Sequence, residues 1–93
     1  MENIITKEKL EKYFLITEKA LKIAKKHIIK GKESQAKEII EMASNYLSDA
    51  KHFQLIGNFV NAFAAINYCH GWIDSGVRLD VFNVKNSKLF TIK

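Results

Sequence analysis

The 93-residue chain has no proline, one cysteine, four glycines, and a single arginine among its fifteen basic residues. With Cys69 alone, the chain has neither an intramolecular disulfide framework nor a cysteine-based zinc site. Its apolar runs fall well short of the ~20 residues that span a bilayer, and the lysine-rich N-terminus lacks the apolar core of a signal peptide. We therefore expect a cytoplasmic protein that has no membrane association.

The composition is that of a folded globular domain. Hydrophobic residues make up 47% of the chain and charged residues 27%, close to the average of globular proteins, which argues against disordered and fibrous classes. A chain of this length forms one modest core, so we expect a single domain over residues 1–93.

Apolar spacing of three and four residues predicts three helices, at about 6–30, 34–56 and 58–79. Gly31 and Gly57 fall where the periodicity breaks, and Ser34 and Asn58 are suitable N-caps. Connections this short make neighbouring helices antiparallel. The predicted fold is all-α, an up-and-down three-helix bundle with a short extended C-terminal tail or hairpin.

The predicted tail, residues 80–93, has two extended stretches at 81–84 and 89–92 around a turn. An isolated hairpin is marginally stable in water. We therefore expect Phe82, Leu89 and Phe90 to fold back onto the helices and cover an otherwise exposed apolar side.

Three segments carry a family resemblance: AKHF at 50–53, GNFVNAFA at 57–64, and NYCHGWIDSGVRL at 67–79. Together with Leu-Phe-Thr at 89–91, they resemble the short archaeal proteins grouped as domain of unknown function 357. The resemblance covers about residues 36–92. It implies a small three-helix bundle in an archaeal cytoplasm and no known activity.

One polar group on the third helix is a candidate ligand or partner face: Asn67, His70, Asp74 and Arg78, with Gly71 beside them. Spacings of three and four residues place the four side chains on one side of a helix. Asp74 could orient His70 as a general base while Arg78 holds an anion. We favour the simpler interpretation, a ladder of salt bridges and hydrogen bonds on the helix surface.

Catalytic and metal-binding patterns are missing from the sequence. His27, His52 and His70 fall in different helical regions without a ligand spacing, and Cys69 sits in an apolar stripe typical of a buried thiol. We expect no enzymatic activity, no cofactor and no metal site.

A stripe of lysines follows the first helix on the side opposite the core. It consists of Lys12, Lys19, Lys22, Lys26 and Lys30. The stripe could bind an anionic backbone, but Glu8, Glu11 and Glu18 dilute its charge. We interpret it first as a solvent-exposed face, and nucleic-acid binding through it stays an alternative.

The third helix is apolar around most of its circumference, so two neighbouring helices cover only part of it. Phe63, Tyr68 and Trp72 are the candidate interface, since tyrosine and tryptophan are preferred anchors. The leading hypothesis is a non-enzymatic protein-interaction or self-association module, with a protein partner or a homodimer. The alternatives are nucleic-acid binding and a small-ligand site at the polar group.

Overall fold

The computed structural model describes residues 3–86 and 88–90. Three helices follow in order, α1 (Lys7–Lys25), α2 (Glu33–Leu55) and α3 (Phe59–Arg78). Helix α2 packs along the length of α3, and α1 packs on α3 while meeting α2 only lightly. The all-α bundle is therefore confirmed, with α3 as its central helix.

The connection between α2 and α3 forms as the sequence predicts. Gly57 adopts a left-handed conformation with φ of +77°. The N–H groups of Gly57 and Asn58 donate to the Gln54 and Phe53 carbonyls, a Schellman arrangement that stops α2. The Asn58 side chain then accepts the Asn61 N–H at 3.2 Å and starts α3.

The predicted N-cap of α2 is wrong. The helix begins at Glu33 rather than Ser34, and its N-cap, Lys32, makes no side-chain cap bond. The Glu33 carboxylate accepts the Gly31 N–H at 3.0 Å instead. Glu33 thus fixes the turn that leads into α2.

Helix α1 ends at Lys25, five residues before its predicted end. Beyond it the chain runs extended beside the tail. The Ile29 N–H donates to the Val81 carbonyl at 2.9 Å, and the Asn83 N–H donates to the His27 carbonyl at 2.8 Å. These antiparallel bonds replace the hydrogen bonds that a longer helix would have made.

The tail folds back as expected, because Phe82, Leu89 and Phe90 are all buried. In the described part of the chain its two stretches do not pair with each other as a hairpin. The N–H groups of Leu89 and Phe90 both donate to the Asn86 carbonyl, which turns the chain towards the bundle. Residues 91–93, which include the end of the predicted second stretch, lie outside the described residues.

The core has two parts along the bundle axis. One lies where α1 starts and α2 ends, and its buried members are Leu10, Phe14, Ala50, Ala62, Ala65 and Ile66. The other lies at the opposite end and takes in Ala24, Ala36, Ile39, Ile73, Val77, Phe82 and Phe90 among its buried members. The second part needs the tail, which completes the cover of α3 at that end.

Candidate functional site on the outer face of α3

An open groove of about 640 Å³ runs along the solvent side of α3. Its lining residues are Ala64, Asn67, Tyr68, Gly71, Trp72 and Ser75. They share this side because successive members are one or three positions apart on the helix, and alternate members are four apart. The groove combines two aromatic rings with small side chains.

Tyr68 is the most prominent side chain of the groove. It is 63% exposed, and its ring stacks on Tyr46 of α2 with 5.2 Å between centroids and 18° between planes. The stack restricts the motion of the Tyr68 ring on the surface. Binding through this ring therefore costs less side-chain conformational entropy.

Two further large apolar residues are exposed, Val60 of α3 and its C-cap Leu79, at 69% and 68%. At 100° per residue both lie on the same side of the helix as the groove. We call this surface the α3 face. It consists of Val60, Ala64, Asn67, Tyr68, Gly71, Trp72, Ser75 and Leu79.

The two glycines of α3 differ in what surrounds them. A Cβ at Gly76 would overlap the ring of Phe82, whose Cδ2 atom lies 2.6 Å from that position. A Cβ at Gly71 would meet nothing within 4 Å. Packing of the tail therefore accounts for Gly76, whereas no contact within the described chain accounts for Gly71.

His70 joins three parts of the molecule. Its Nε2 lies 2.7 Å from the Leu89 carbonyl oxygen of the tail, and its Nδ1 lies 2.9 Å from the Thr17 hydroxyl of α1. Because a carbonyl only accepts, we assign the proton to Nε2, and Nδ1 of the neutral ring accepts from Thr17. Both ring nitrogens are thus engaged within the chain.

The predicted polar group lies on one side of α3, but its members have different surroundings. Nε2 of His70 lies 3.8 Å from a carboxylate oxygen of Asp74, and both side chains are half-buried. Asn67 and Gly71 belong to the groove instead, and Arg78 is exposed at the end of the helix. The His70–Asp74 pair borders the groove on the side of α1.

Phe63 does not join Tyr68 and Trp72 on the α3 face. Its ring meets Tyr13 of α1 edge to face, with 5.1 Å between centroids and 85° between planes. The Lys9 ammonium lies 5.9 Å from the same ring. Phe63 therefore serves the packing of α1 on α3.

The lysine stripe is exposed along its whole length but only partly helical. Lys12, Lys19 and Lys22 lie on α1, and Lys26 is the C-cap. Lys30 lies in the turn that leads into α2, since α1 ends earlier than the sequence predicts. It therefore does not continue the row along the helix axis.

The environment of the single cysteine, Cys69, makes its thiol unreactive. Cys69 is fully buried, and burial, followed by the negative charge of Glu18, raises the pKa of its thiol to about 11.

Within residues 3–86 and 88–90, no group of three or more histidine, cysteine or acidic side chains could hold a metal ion. No helix among these residues is long and apolar enough to cross a membrane.

These features define a small three-helix bundle that presents an apolar groove on its central helix. The family described as "Protein of unknown function (DUF357)" matches residues 12–82, and the chain belongs to that family. The match takes in most of α1 and ends at Phe82, so it begins earlier and ends sooner than the resemblance noted above. No curated protein and no solved structure matches the chain.

Sequence reasoning missed part of the site. Ala64 and Ser75 line the groove, although their small side chains carry no interface signal of their own; their helical spacing from Gly71 was the available clue. The sequence also does not indicate the hydrogen bond between Thr17 and His70. That contact joins positions 53 residues apart, which local spacing cannot indicate.

Proposed function

We propose that the protein is a non-enzymatic self-association module that pairs with a second copy of itself through the α3 face. The observation that carries this proposal is Gly71. A glycine inside a helix costs about 0.5–1 kcal/mol relative to alanine. Gly71 bears this cost on an exposed surface where its own chain leaves the space open, which favours close approach by another molecule.

The shape of the α3 face suits a second copy running antiparallel. When two α3 helices cross with their centre between positions 71 and 72, Trp72 of one copy lies level with Gly71 of the other. In the same pairing, Tyr68 lies level with Ser75, and Leu79 lies level with Ala64. A large side chain faces a small one at each level, as interdigitating surfaces require. Each contact forms twice, once on either side of a two-fold axis, as in a symmetric homodimer.

The exposed apolar residues support the same face. Val60, Tyr68 and Leu79 each leave more than 60% of their surface open in the single chain. Burying such side chains is worth about 25 cal/mol for each Å² of apolar surface removed from water. One helix from each copy makes a small interface, so we expect a dissociation constant roughly in the micromolar range.

The groups with catalytic potential favour a binding function over an enzymatic one. Both nitrogens of His70 are held by Thr17 and Leu89, so the ring is not positioned as a free general base. The raised pKa of Cys69, about 11, keeps its thiol protonated at neutral pH. A thiol in that state is a poor nucleophile.

The test is sedimentation equilibrium with two charge variants of the α3 face. Ala64→Glu and Leu79→Lys each bring a charge into the proposed contact, so each variant alone should be a monomer. An equimolar mixture should associate again, because the new carboxylate at position 64 of one chain then lies level with the new ammonium at position 79 of the other.

The matched control is Leu55→Glu, which charges an apolar residue that is 86% exposed at the end of α2, away from the α3 face. This variant should associate as the unmodified protein does. A wild-type protein that stays monomeric up to millimolar concentration would overturn the proposal. Loss of association in Leu55→Glu, or failure of the mixture to associate, would also overturn it.

A further inference from the structure

The second strongly marked surface is the end of the bundle where α1 meets α2. Between positions 19 and 37 the chain has seven lysines and one acidic residue, Glu33. Glu33 keeps its negative charge while its carboxylate accepts the Gly31 N–H. One carboxylate cannot balance seven lysines, so positive charge accumulates at this end.

The tail adds to this charge from a distant part of the sequence. Its antiparallel bonds to residues 27–29 lay it across the end of α1. A groove of about 320 Å³ results between α1 and the tail. It is lined by Ile23, His27, Asn83, Val84, Lys85 and Asn86.

We define the basic end by the lysines of the last turn of α1, the connection and the tail. It consists of Lys22, Lys25, Lys26, Lys30, Lys32, Lys85 and Lys88. All but Lys32 are exposed, and Lys32 is half-buried. Among residues 3–86 and 88–90, no carboxylate forms a salt bridge with any of them.

We infer that the basic end binds the phosphate backbone of a nucleic acid. Lysines that lack partners attract phosphates and release the counterions of the strand. The groove adds hydrogen-bonding groups, His27, Asn83 and Asn86, beside the apolar surface of Ile23 and Val84. That combination fits a sugar-phosphate unit, and its volume lies in the lower range of ligand sites.

The distribution of apolar surface favours a nucleic acid over a membrane. Basic segments that bind membranes stably add apolar groups that enter the lipid. The large exposed apolar residues Ile4, Leu55 and Ile56 lie at the opposite end of the bundle, and Ile28, near the basic end, is only 36% exposed. Leu79, 68% exposed where α3 ends, is the large apolar side chain that the basic end could offer to a lipid. The lysines outnumber it, so we favour a phosphate backbone over a membrane.

The lining of the groove includes no phenylalanine, tyrosine or tryptophan, so the imidazole of His27 is the ring it offers to a base. Contacts to phosphate and sugar carry no sequence information. We therefore expect binding that is indifferent to sequence.

Lys32 shares a groove with Trp72, Ser75 and Leu79 of the α3 face, whereas Lys85 lines the groove beside α1. The Lys85→Glu variant therefore tests this site apart from the α3 face, and either proposal can fail alone.

The test is fluorescence anisotropy with a labelled single-stranded RNA of mixed sequence, about 20 nucleotides long. Affinity should fall roughly 50-fold between about 50 and 200 mM salt, as expected for about four neutralised phosphates. Lys85→Glu should weaken binding about 5–10-fold and reduce the salt slope by about one. Circular dichroism of each variant checks that the bundle is retained.

Two matched charge reversals locate the site. Lys7→Glu changes the net charge equally at the far end of α1, and Lys12→Glu does so on the helical part of the lysine stripe. Both should weaken binding less than twofold. An effect in either variant as large as that of Lys85→Glu would overturn the proposal, since net charge or the stripe would then account for binding.

One other probe completes the experiment. Vesicles with about 30% phosphatidylserine should bind weakly and should not displace the RNA. No RNA binding at about 50 mM salt, or vesicle binding that exceeds RNA binding, would overturn the inference.

Discussion

The ring of Phe82 occupies the space beside Gly76 in which any other residue would carry its Cβ atom. The Gly76 carbonyl also accepts the N–H of Val81 at 2.8 Å and that of Phe82 at 3.3 Å. One position of α3 thus receives both the backbone and the side chain of the tail. The end of the helix and the fold of the tail are set together.

We expect Gly76→Ala to destabilise the protein by about 1–3 kcal/mol, because the added methyl group must displace the Phe82 ring or distort α3. Urea unfolding measures the loss. Limited proteolysis should also cleave the tail faster, since Phe82 no longer packs closely against α3. Unchanged stability and unchanged tail cleavage would contradict the role given to this close approach.

Gly71→Ala is the matched substitution five residues earlier on the same helix. Because nothing meets the added methyl group, the higher helix propensity of alanine should raise stability by about 0.5–1 kcal/mol. Urea unfolding is measured at concentrations low enough to keep the protein monomeric. If the α3 face pairs with a second copy, the same variant should associate more weakly despite its greater stability.

His70→Ala should destabilise the protein by about 2–4 kcal/mol, since it leaves the Thr17 hydroxyl and the Leu89 carbonyl without their partner. Thr17 is only 1% exposed, so water cannot readily replace the lost bond. Chemical denaturation measures the effect. His52→Ala is the control, and as an exposed position it should change stability by less than about 0.5 kcal/mol.

Cys69 should make stability depend on pH in the alkaline range. Its pKa is raised from the ordinary value of 9.0 to about 11 in the folded chain. The folded state therefore binds the proton more tightly, and this contribution is fully present below about pH 9 and is lost as the pH rises towards about 11.

Unfolding of the wild type and of Cys69→Ala between about pH 8 and 11 isolates this effect, because the other titrating groups are common to both proteins. The stability difference between the two should shrink as the pH rises. At about pH 8, iodoacetamide should modify Cys69 far more slowly in the folded protein than in urea. Equal rates in the two conditions would show that the thiol is accessible in the native state.

Much of the fold could be predicted because its signals are local. Helical periodicity located three helices, and Asn58 and Gly57 gave the α2–α3 connection from their side-chain and backbone chemistry. The end of α1 could not be predicted in this way. Residues 26–30 continue the helical pattern, but residues 27–29 leave it because they form hydrogen bonds with the tail.

The candidate site was also predictable only where local spacing determines it. The spacing of Tyr68, Gly71 and Trp72 places them near one another on a helix, which the sequence indicates. Whether a neighbouring element covers them depends on how α1, α2 and the tail pack. In the structure Phe63 faces α1 and is partly covered, while Tyr68 remains exposed beside Tyr46.

The all-α class, the number of helices and membership of the family follow from the order of the residues alone, because each of these rests on local spacing or on a run of matching residues. The role of His70, the early end of α1 and the convergence of tail lysines with those of α1 arise only in the folded chain. Each depends on contacts between residues far apart in the sequence. Such contacts form only when the core assembles, and no short-range pattern records them.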